Sequence, residues 1–350
     1  MQKNSQILHI MLSKGLGGLE KMACDYHVEL GNCGYNSHII LHKDAKILQK
    51  YGNFQQLFPI NARSQYDIFA ALRVLKTIKK HRITHVILHG KRALAMALLA
   101  KIFMLRAPVL IYIQHAQFSD KNIAKIDYVA CLNSAAQKRL WELNILPTER
   151  VVLLPNFINL SRYSYNFKEN NELRIGWIGR FDEIKGLDLF LSAISELRGR
   201  RGNFSVKIAG GNKDRALSFT KSDLGGVDFL GWVEDVRHFL QNIDLLCITS
   251  RSETFCLTML EAMASGVLVI STPCNGPCEI SARVKNSAII AEDFTIGAIV
   301  NSLEFALNLP KEQREEIVKN GHKVAESYDI SHWISDFDSL LRQCTPPKAS

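Results

Sequence analysis

Short apolar runs recur along the chain at 7–12, 37–41, 85–89, 109–114, 128–132 and 151–154, and again at 173–178, 205–209, 227–230, 245–249, 267–271 and 287–290. Between them the apolar positions fall at helical spacing, so strands alternate with helices. That alternation predicts parallel sheets with crossover helices. The pattern pauses between Arg162 and Glu172, where the chain turns polar and reads as a linker. Two helical patterns, 311–328 and 330–344, close the chain ahead of a loose tail at Pro346-Pro347. The expected fold class is α/β, two Rossmann-like domains facing across a cleft, the first over 1–165 and the second over 172–329. Ligands are expected at the carboxyl ends of the strands.

A length of 350 residues agrees with two domains, and 47% hydrophobic content is ordinary for a globular protein. The first apolar run ends at Ser13 and Lys14, too short for a signal-peptide core. The most apolar stretch, 94–113, is broken by Lys101, Arg106 and Pro108, so it does not read as a membrane span. Eight scattered cysteines in or beside apolar segments suggest reduced thiols and a cytoplasmic location. Cys274 and Cys278 alone have the spacing of a metal pair; with no second pair and no nearby histidine, no zinc site is expected.

Charge divides the chain. Residues 1–165 carry 22 Lys and Arg against 9 Asp and Glu, whereas 166–350 carry 21 against 25. Within 63–106 ten basic residues face one acid, Asp67. An anionic partner is expected for the first half only. Arg73, Lys76, Lys79, Lys80 and Arg82, then Lys91, Arg92, Lys101 and Arg106, alternate with apolar residues as on membrane-surface helices. A solvated basic face is the plainer alternative. No nucleic-acid partner is expected, because aromatic residues are not interleaved with the cations.

Candidate chemistry concentrates in the second half. Glu253 and Glu261 lie eight residues apart, the first on the loop after a strand and the second about two helical turns on. At ~1.5 Å per residue the carboxylates stand ~12 Å apart, too far to act as an acid/base pair on one bond. The spacing suits two ends of an extended ligand, with helix-start N–H groups between them for an anion. By itself the segment reads first as a surface cap carboxylate and a solvated helix carboxylate. Upstream, Arg180 and Lys185 flank a strand-to-helix turn, a planar fork and a compact charge matched to a diphosphate. The turn Gly15-Leu16-Gly17-Gly18 is not a dinucleotide fingerprint, since Glu20 replaces the third glycine. Asp336 and Asp338, the only paired aspartates, sit in the terminal helix pattern and read as structural.

Taken together, Gly179-Arg180, Lys185-Gly186 and the double-glutamate segment resemble the retaining family-4 glycosyltransferases (glycosyl transferases group 1) of the glycosyltransferase-B fold. Gly210-Gly211, the turn from Phe229 to Val233, the loop from Gly276 to Ile280, Pro155-Asn156 and Asn133-Ser134 match in order. The resemblance implies that Arg180 and Lys185 neutralise the donor diphosphate, that Glu253 binds hydroxyls of the donor sugar, and that His115 faces that sugar. It implies that Glu261 binds the ribose and that the Leu257 N–H meets a phosphate. Gly17, Gly18, Gly179, Gly210, Gly211, Trp232, Val233, Thr254, Phe255 and Cys256 would complete the donor pocket. No cofactor or metal is expected, the two cations standing in for a divalent ion, and the helix 330–344 is expected to return to the first domain. The implied activity moves a hexosyl or N-acetylhexosaminyl group from a nucleotide sugar, UDP favoured on family frequency, to a saccharide or anionic glycolipid. Lipopolysaccharide core or another cell-surface glycan is the implied pathway, at the inner face of the membrane. Thr254 and Cys256 stand where the family commonly has glycines, which implies a tighter donor pocket. A nucleotide-sugar epimerase, a phosphorylase-like enzyme or a non-catalytic sugar-nucleotide binder are the alternatives. The first lacks close acid/base carboxylates, the second a cofactor-lysine segment, and the third would not need all four charged residues.

Overall fold

The computed structural model describes residues 5–115, 121–168, 170, 172–200, 204–211 and 226–344. The tail at Pro346-Pro347 lies outside them. The chain forms two compact units, residues 1–156 with 331–350, and residues 157–330. Residues 157–165, expected on the first side of the boundary, pack within the second unit. Ile158 bridges Asp329, and the Leu160 N–H donates to the Asp329 carboxylate at 2.9 Å.

The first unit holds seven parallel strands: β1 (Gln6–Met11), β2 (Asn36–His42), β3 (Leu57–Ile60), β4 (His85–His89), β5 (Val109–Gln114), β6 (Tyr128–Cys131) and β7 (Val151–Leu153). Their order is β3-β2-β1-β4-β5-β6-β7. The apolar runs predict six of these strands and miss β3. That strand is four residues long, carries Pro59 and lies on the edge, where a missing N–H is tolerated. β1, β4 and β5 are buried almost throughout, as strands covered on both faces must be. The helix Ile68–Lys80 covers one face; Asp67 caps it by accepting the Ala70 N–H at 3.0 Å.

The closing helix Ile330–Gln343 lays Trp333, Phe337, Leu340 and Leu341 against this unit. Trp333 stacks on Phe337 and meets Tyr26 edge-on at 4.7 Å, while the Tyr35 hydroxyl donates to Asp338. The terminal aspartate is therefore structural.

The second unit holds six parallel strands: β8 (Leu173–Ile178), β9 (Phe204–Ala209), β10 (Val227–Gly231), β11 (Leu245–Ile248), β12 (Leu268–Ser271) and β13 (Ile289–Ile290). Their order is β10-β9-β8-β11-β12-β13. Trp177, Phe181 and Phe190 fill the core beneath the Leu187–Arg200 helix. In each sheet the order reverses beside the first strand, between β1 and β4 and between β8 and β11. Loops leaving the carboxyl ends of those strands diverge there and leave room for a ligand.

Candidate functional site

In the second unit the loop after β8 is shaped by Asp182. One carboxylate oxygen accepts the Lys185 N–H at 3.1 Å, and the other takes the Arg180 guanidinium at 3.2 Å. A tight turn over Glu183–Lys185 then ends at Gly186, whose φ is +65°. A Cβ at Gly186 would stand 1.9 Å from the Thr249 carbonyl oxygen, so the loop presses directly on the end of β11. Thr249 fixes the contact: its hydroxyl donates to the Gly186 carbonyl at 2.7 Å and accepts from the Trp177 indole at 3.1 Å.

This packing delivers Lys185 to the loop after β11. Its Nζ lies 2.5 Å from Glu253 Oε1, which also accepts the Ser250 hydroxyl at 2.9 Å. Burial works most strongly against the ammonium, but the charge and hydrogen bond of Glu253, with Cys256 nearby, together outweigh it and raise the Lys185 pKa. Lys185 is therefore a fixed cation at neutral pH and not a base. Arg180 beside it is 63% exposed, so its guanidinium faces solvent at the same edge.

The Glu253 loop is braced from behind. Gly276 N–H donates to the Glu253 carbonyl at 3.0 Å, and a Cβ at Gly276 would meet the Phe255 backbone at 3.0 Å. Thr254, Phe255 and Cys256 are buried, and Cys256 precedes the helix Leu257–Ala264. Burial pushes the Cys256 thiol up, so it stays protonated and packs as a small apolar group. Side chains at 254 and 256 thus fill space beside the Lys185–Glu253 pair. Glu261, in the second turn of that helix, is 5% exposed and accepts the Tyr163 hydroxyl at 2.9 Å. A buried carboxylate held by a hydroxyl is a hydrogen-bonding group set in place, not helix decoration.

Three glycine loops close the neighbouring edge. Gly210 has φ +144°, a Cβ there would lie 1.8 Å from the Gly179 carbonyl, and its N–H donates to the Gly231 carbonyl at 2.7 Å. Gly211 lies over the Phe181 ring, where a Cβ would come within 2.4 Å. Trp232 follows, half-exposed, with Val233 partly buried. Arg180, Lys185 and Glu253 are thus joined through Asp182 and the Lys185–Glu253 pair, while Glu261 belongs to a separate pair with Tyr163.

In the first unit the loop after β1 is pinned by Glu20. Its carboxylate accepts the Gly17 N–H at 2.9 Å and the Ser13 hydroxyl at 2.5 Å, which leaves Gly17 and Gly18 at the start of the Gly18–Asn32 helix. His115, at the end of β5, begins a file of imidazoles. Its Nε2 lies 3.1 Å from His89 Nδ1, and His89 Nε2 lies 3.2 Å from His9 Nδ1. Burial pushes the His115 pKa down to about 3 and those of His89 and His9 well below the usual value. All three rings are neutral at neutral pH.

Sequence reasoning did not single out Asp182, Ser250, Tyr163, His89 or His9. His89 left one signal, a histidine closing a strand beside the strand that His115 follows. Among the described residues no group of three or more His, Cys, Asp or Glu is placed to hold a metal ion.

Two family models match successive stretches that together span most of the chain: Glycosyltransferase Family 4 over residues 16–162 and Glycosyl transferases group 1 over 164–324. Among curated relatives, the chain is 31% identical over 200 residues to the GalNAc-alpha-(1->4)-GalNAc-alpha-(1->3)-diNAcBac-PP-undecaprenol alpha-1,4-N-acetyl-D-galactosaminyltransferase of Campylobacter jejuni, covering 56% of this chain and 55% of the relative. It is 24% identical over 220 residues to the lipopolysaccharide 1,2-N-acetylglucosaminetransferase of Salmonella typhimurium, covering 56% of this chain and 58% of the relative. The matched stretch thus spans less than two thirds of these relatives' lengths. Among solved structures, the Anabaena protein HepE in complex with UDP and glucose superposes with a TM-score of 0.79 at 16% identity, covering 97% of this chain and 99% of that one. A glycosyltransferase from Rickettsia africae superposes at 0.81 with 18% identity, covering 99% of each. The two-sheet architecture is that of the glycosyltransferase-B fold. The chain belongs to the group 1, family 4 glycosyltransferases.

Proposed function

We propose that the chain is a retaining, metal-independent glycosyltransferase that moves a sugar from a nucleotide sugar, UDP-linked, to a saccharide or glycolipid acceptor of a cell-surface glycan. The observation that carries this reading is the Lys185–Glu253 pair at 2.5 Å beside Arg180, at the carboxyl-end switch point of the second sheet. The diphosphate of the donor takes the charge of Lys185 and Arg180. Its negative charge grows as the glycosidic bond breaks, so two fixed cations lower the barrier without the mobile reorganisation that water would need. Glu253, already accepting from Ser250, turns its remaining acceptor capacity to hydroxyls of the donor sugar. Glu261, set by Tyr163, takes the ribose hydroxyls. His115 is proposed to face the transferred sugar, as the family resemblance implies. UDP in the HepE neighbour and N-acetylhexosaminyl transfer in the two bacterial relatives support the donor class. The relatives' undecaprenol-linked and lipopolysaccharide substrates support a glycolipid acceptor.

The acceptor side carries its own feature. Tyr66, Phe69 and Leu72 are exposed, and Phe69 and Leu72 share one stripe of the Ile68–Lys80 helix with Arg73, Lys76 and Lys80. Apolar tips among cations suit an anionic bilayer surface. Among the described residues no helix is long and apolar enough to cross a membrane. Peripheral contact is therefore the proposed mode, tested by sedimentation with anionic and uncharged vesicles. Binding that ignores lipid charge, salt and Phe69→Asp would refute it.

The test of the activity is incubation with UDP-hexoses and UDP-N-acetylhexosamines, the product anomer read by NMR. The expected result is slow transfer or hydrolysis with retained configuration, lost in Lys185→Ala and Glu253→Ala. Inverted configuration, or both variants at wild-type rate, would overturn the assignment.

A further inference from the structure

The histidine file in the first unit has a geometry that its separate members do not explain. His9 lies within β1, His89 closes β4 and His115 follows β5, three strands adjacent in the sheet, and their rings join Nδ1 to Nε2 in sequence. His9 and His89 are 0% and 1% exposed, whereas His115 is partly exposed. Tyr26 packs edge-on against His89 at 5.4 Å and against His9 at 6.1 Å, and Trp333 of the returning helix covers Tyr26. The file therefore opens at the carboxyl edge of the sheet and runs inward to a closed end.

At that end His9 Nε2 is buried with no hydrogen-bond partner among the described residues. A proton passed inward from His115 would have no acceptor beyond His9, so the file is not a proton exit. Its consequence is a fixed polarity. Each neutral imidazole has one N–H and one lone pair, so two successive hydrogen bonds force all three rings into the same tautomer. An orphaned buried N–H is rarer than an orphaned acceptor. The cheaper arrangement leaves the bare lone pair on His9 Nε2 and the protons on every Nδ1.

We propose that His89, backed by His9, is a positioning residue for sugar transfer: it donates from Nδ1 to His115 Nε2 and so holds His115 with its proton on Nδ1, as a neutral hydrogen-bond donor to the sugar. This rests on the reading of His115 as a residue that contacts the transferred sugar. An imidazole without the His89 bond is free to exchange tautomers and rotate, and the donor is then present for only part of the time. Loss of the partner that orients a metal-bound histidine costs on the order of 10–100-fold, and a loss at the lower end of that range is expected for an imidazole that orients a sugar.

The experiment measures kcat and KM for the nucleotide sugar in His89→Leu, His89→Asn, His115→Ala and the double variant His89→Leu/His115→Ala. His89→Leu removes the donor with little change of volume, and His89→Asn keeps an N–H near the position of Nδ1. The expected result is a kcat about tenfold lower in His89→Leu with KM for the donor unchanged. His89→Asn should recover most of the loss, and His89→Leu should cost nothing further in the His115→Ala background. Wild-type kcat in His89→Leu, or the same loss in both backgrounds, overturns the positioning role while leaving His115 in the site. Wild-type kcat in His115→Ala removes the premise itself, and the proposal with it. Nitrogen-15 spectra of histidine-labelled wild-type protein add a test that needs no variant to fold. His115 protonated on Nδ1 supports the proposal, and His115 protonated on Nε2 overturns it.

Discussion

Acidification from pH 8 to pH 5 should loosen the first unit before it touches the second. His9 and His89 are essentially fully buried, and burial lowers both pKa values well below 6.5. An unfolded histidine binds a proton near pH 6.5 and these two do not, so stability falls as pH drops through that value. The limiting slope is about 1.4 kcal/mol per pH unit for each group. Integrated from pH 8 to 5, each ring costs about 2 kcal/mol, and the pair about 4 kcal/mol. For a unit of this size the pair alone corresponds to a fall of about 8–16 °C in Tm, and His115 and His38, pushed down to about 3 and about 4 by burial, add to it in the same direction. Carboxylates held below their usual range, such as Asp244 beside Arg174, add their own loss only at still lower pH. The assay is calorimetric unfolding across this range, in which the transition of the first unit is expected to move to lower temperature. His89→Gln, neutral throughout, should flatten the slope by about one proton. A midpoint that stays level or rises towards pH 5 would refute the burial argument.

Gly186→Ala places a Cβ on the Thr249 carbonyl in left-handed backbone. It should cost at least about 1–2 kcal/mol for the conformation alone, read as a shifted urea midpoint, and weaken donor binding because Lys185 moves with the loop. A midpoint within about 0.5 kcal/mol of wild type, ordinary for an innocuous surface change, would contradict the packing. Tyr163→Phe removes the hydroxyl that sets Glu261, a hydrogen bond to a charged group typically worth about 1.5–3 kcal/mol. KM for the donor should rise about tenfold or more with kcat nearly unchanged; a fall in kcat alone would place Glu261 at the reacting bond instead. A saturating nucleoside diphosphate at 100 times its Kd should stabilise the protein by about 2.7 kcal/mol, and UDP should do so at lower concentration than GDP or ADP.

Much of this site can be read from the chain because its parts are local. Arg180 and Lys185 share one turn, and Glu253 and Glu261 share one loop and helix, so spacing alone places the first three at strands' carboxyl ends and Glu261 about two turns along the helix that follows. Asp182 is equally local, yet an aspartate between two cations reads first as their neutraliser; its capping of the Lys185 N–H needs the backbone to be seen. Tyr163 lies 98 residues before Glu261 in a stretch that reads as linker, and no periodicity joins them. The histidine file is hidden for the same reason, since its three members come from strands whose adjacency follows from sheet order rather than chain order. β3 escapes because a four-residue run with Pro59 has too few positions to establish a period.

In the proposed function Lys185 holds the diphosphate while Glu261 holds the ribose of the same donor. The most direct measurement of this division is the affinity of UDP and of uridine for wild type, Lys185→Ala and Glu261→Ala, by ligand-observed NMR competition. Lys185→Ala is expected to weaken UDP about tenfold, about the 1.4 kcal/mol expected at least of a charge-assisted contact, and to leave uridine unchanged. Glu261→Ala should weaken both. Unchanged UDP affinity in Lys185→Ala, or uridine binding indifferent to Glu261→Ala, would contradict it.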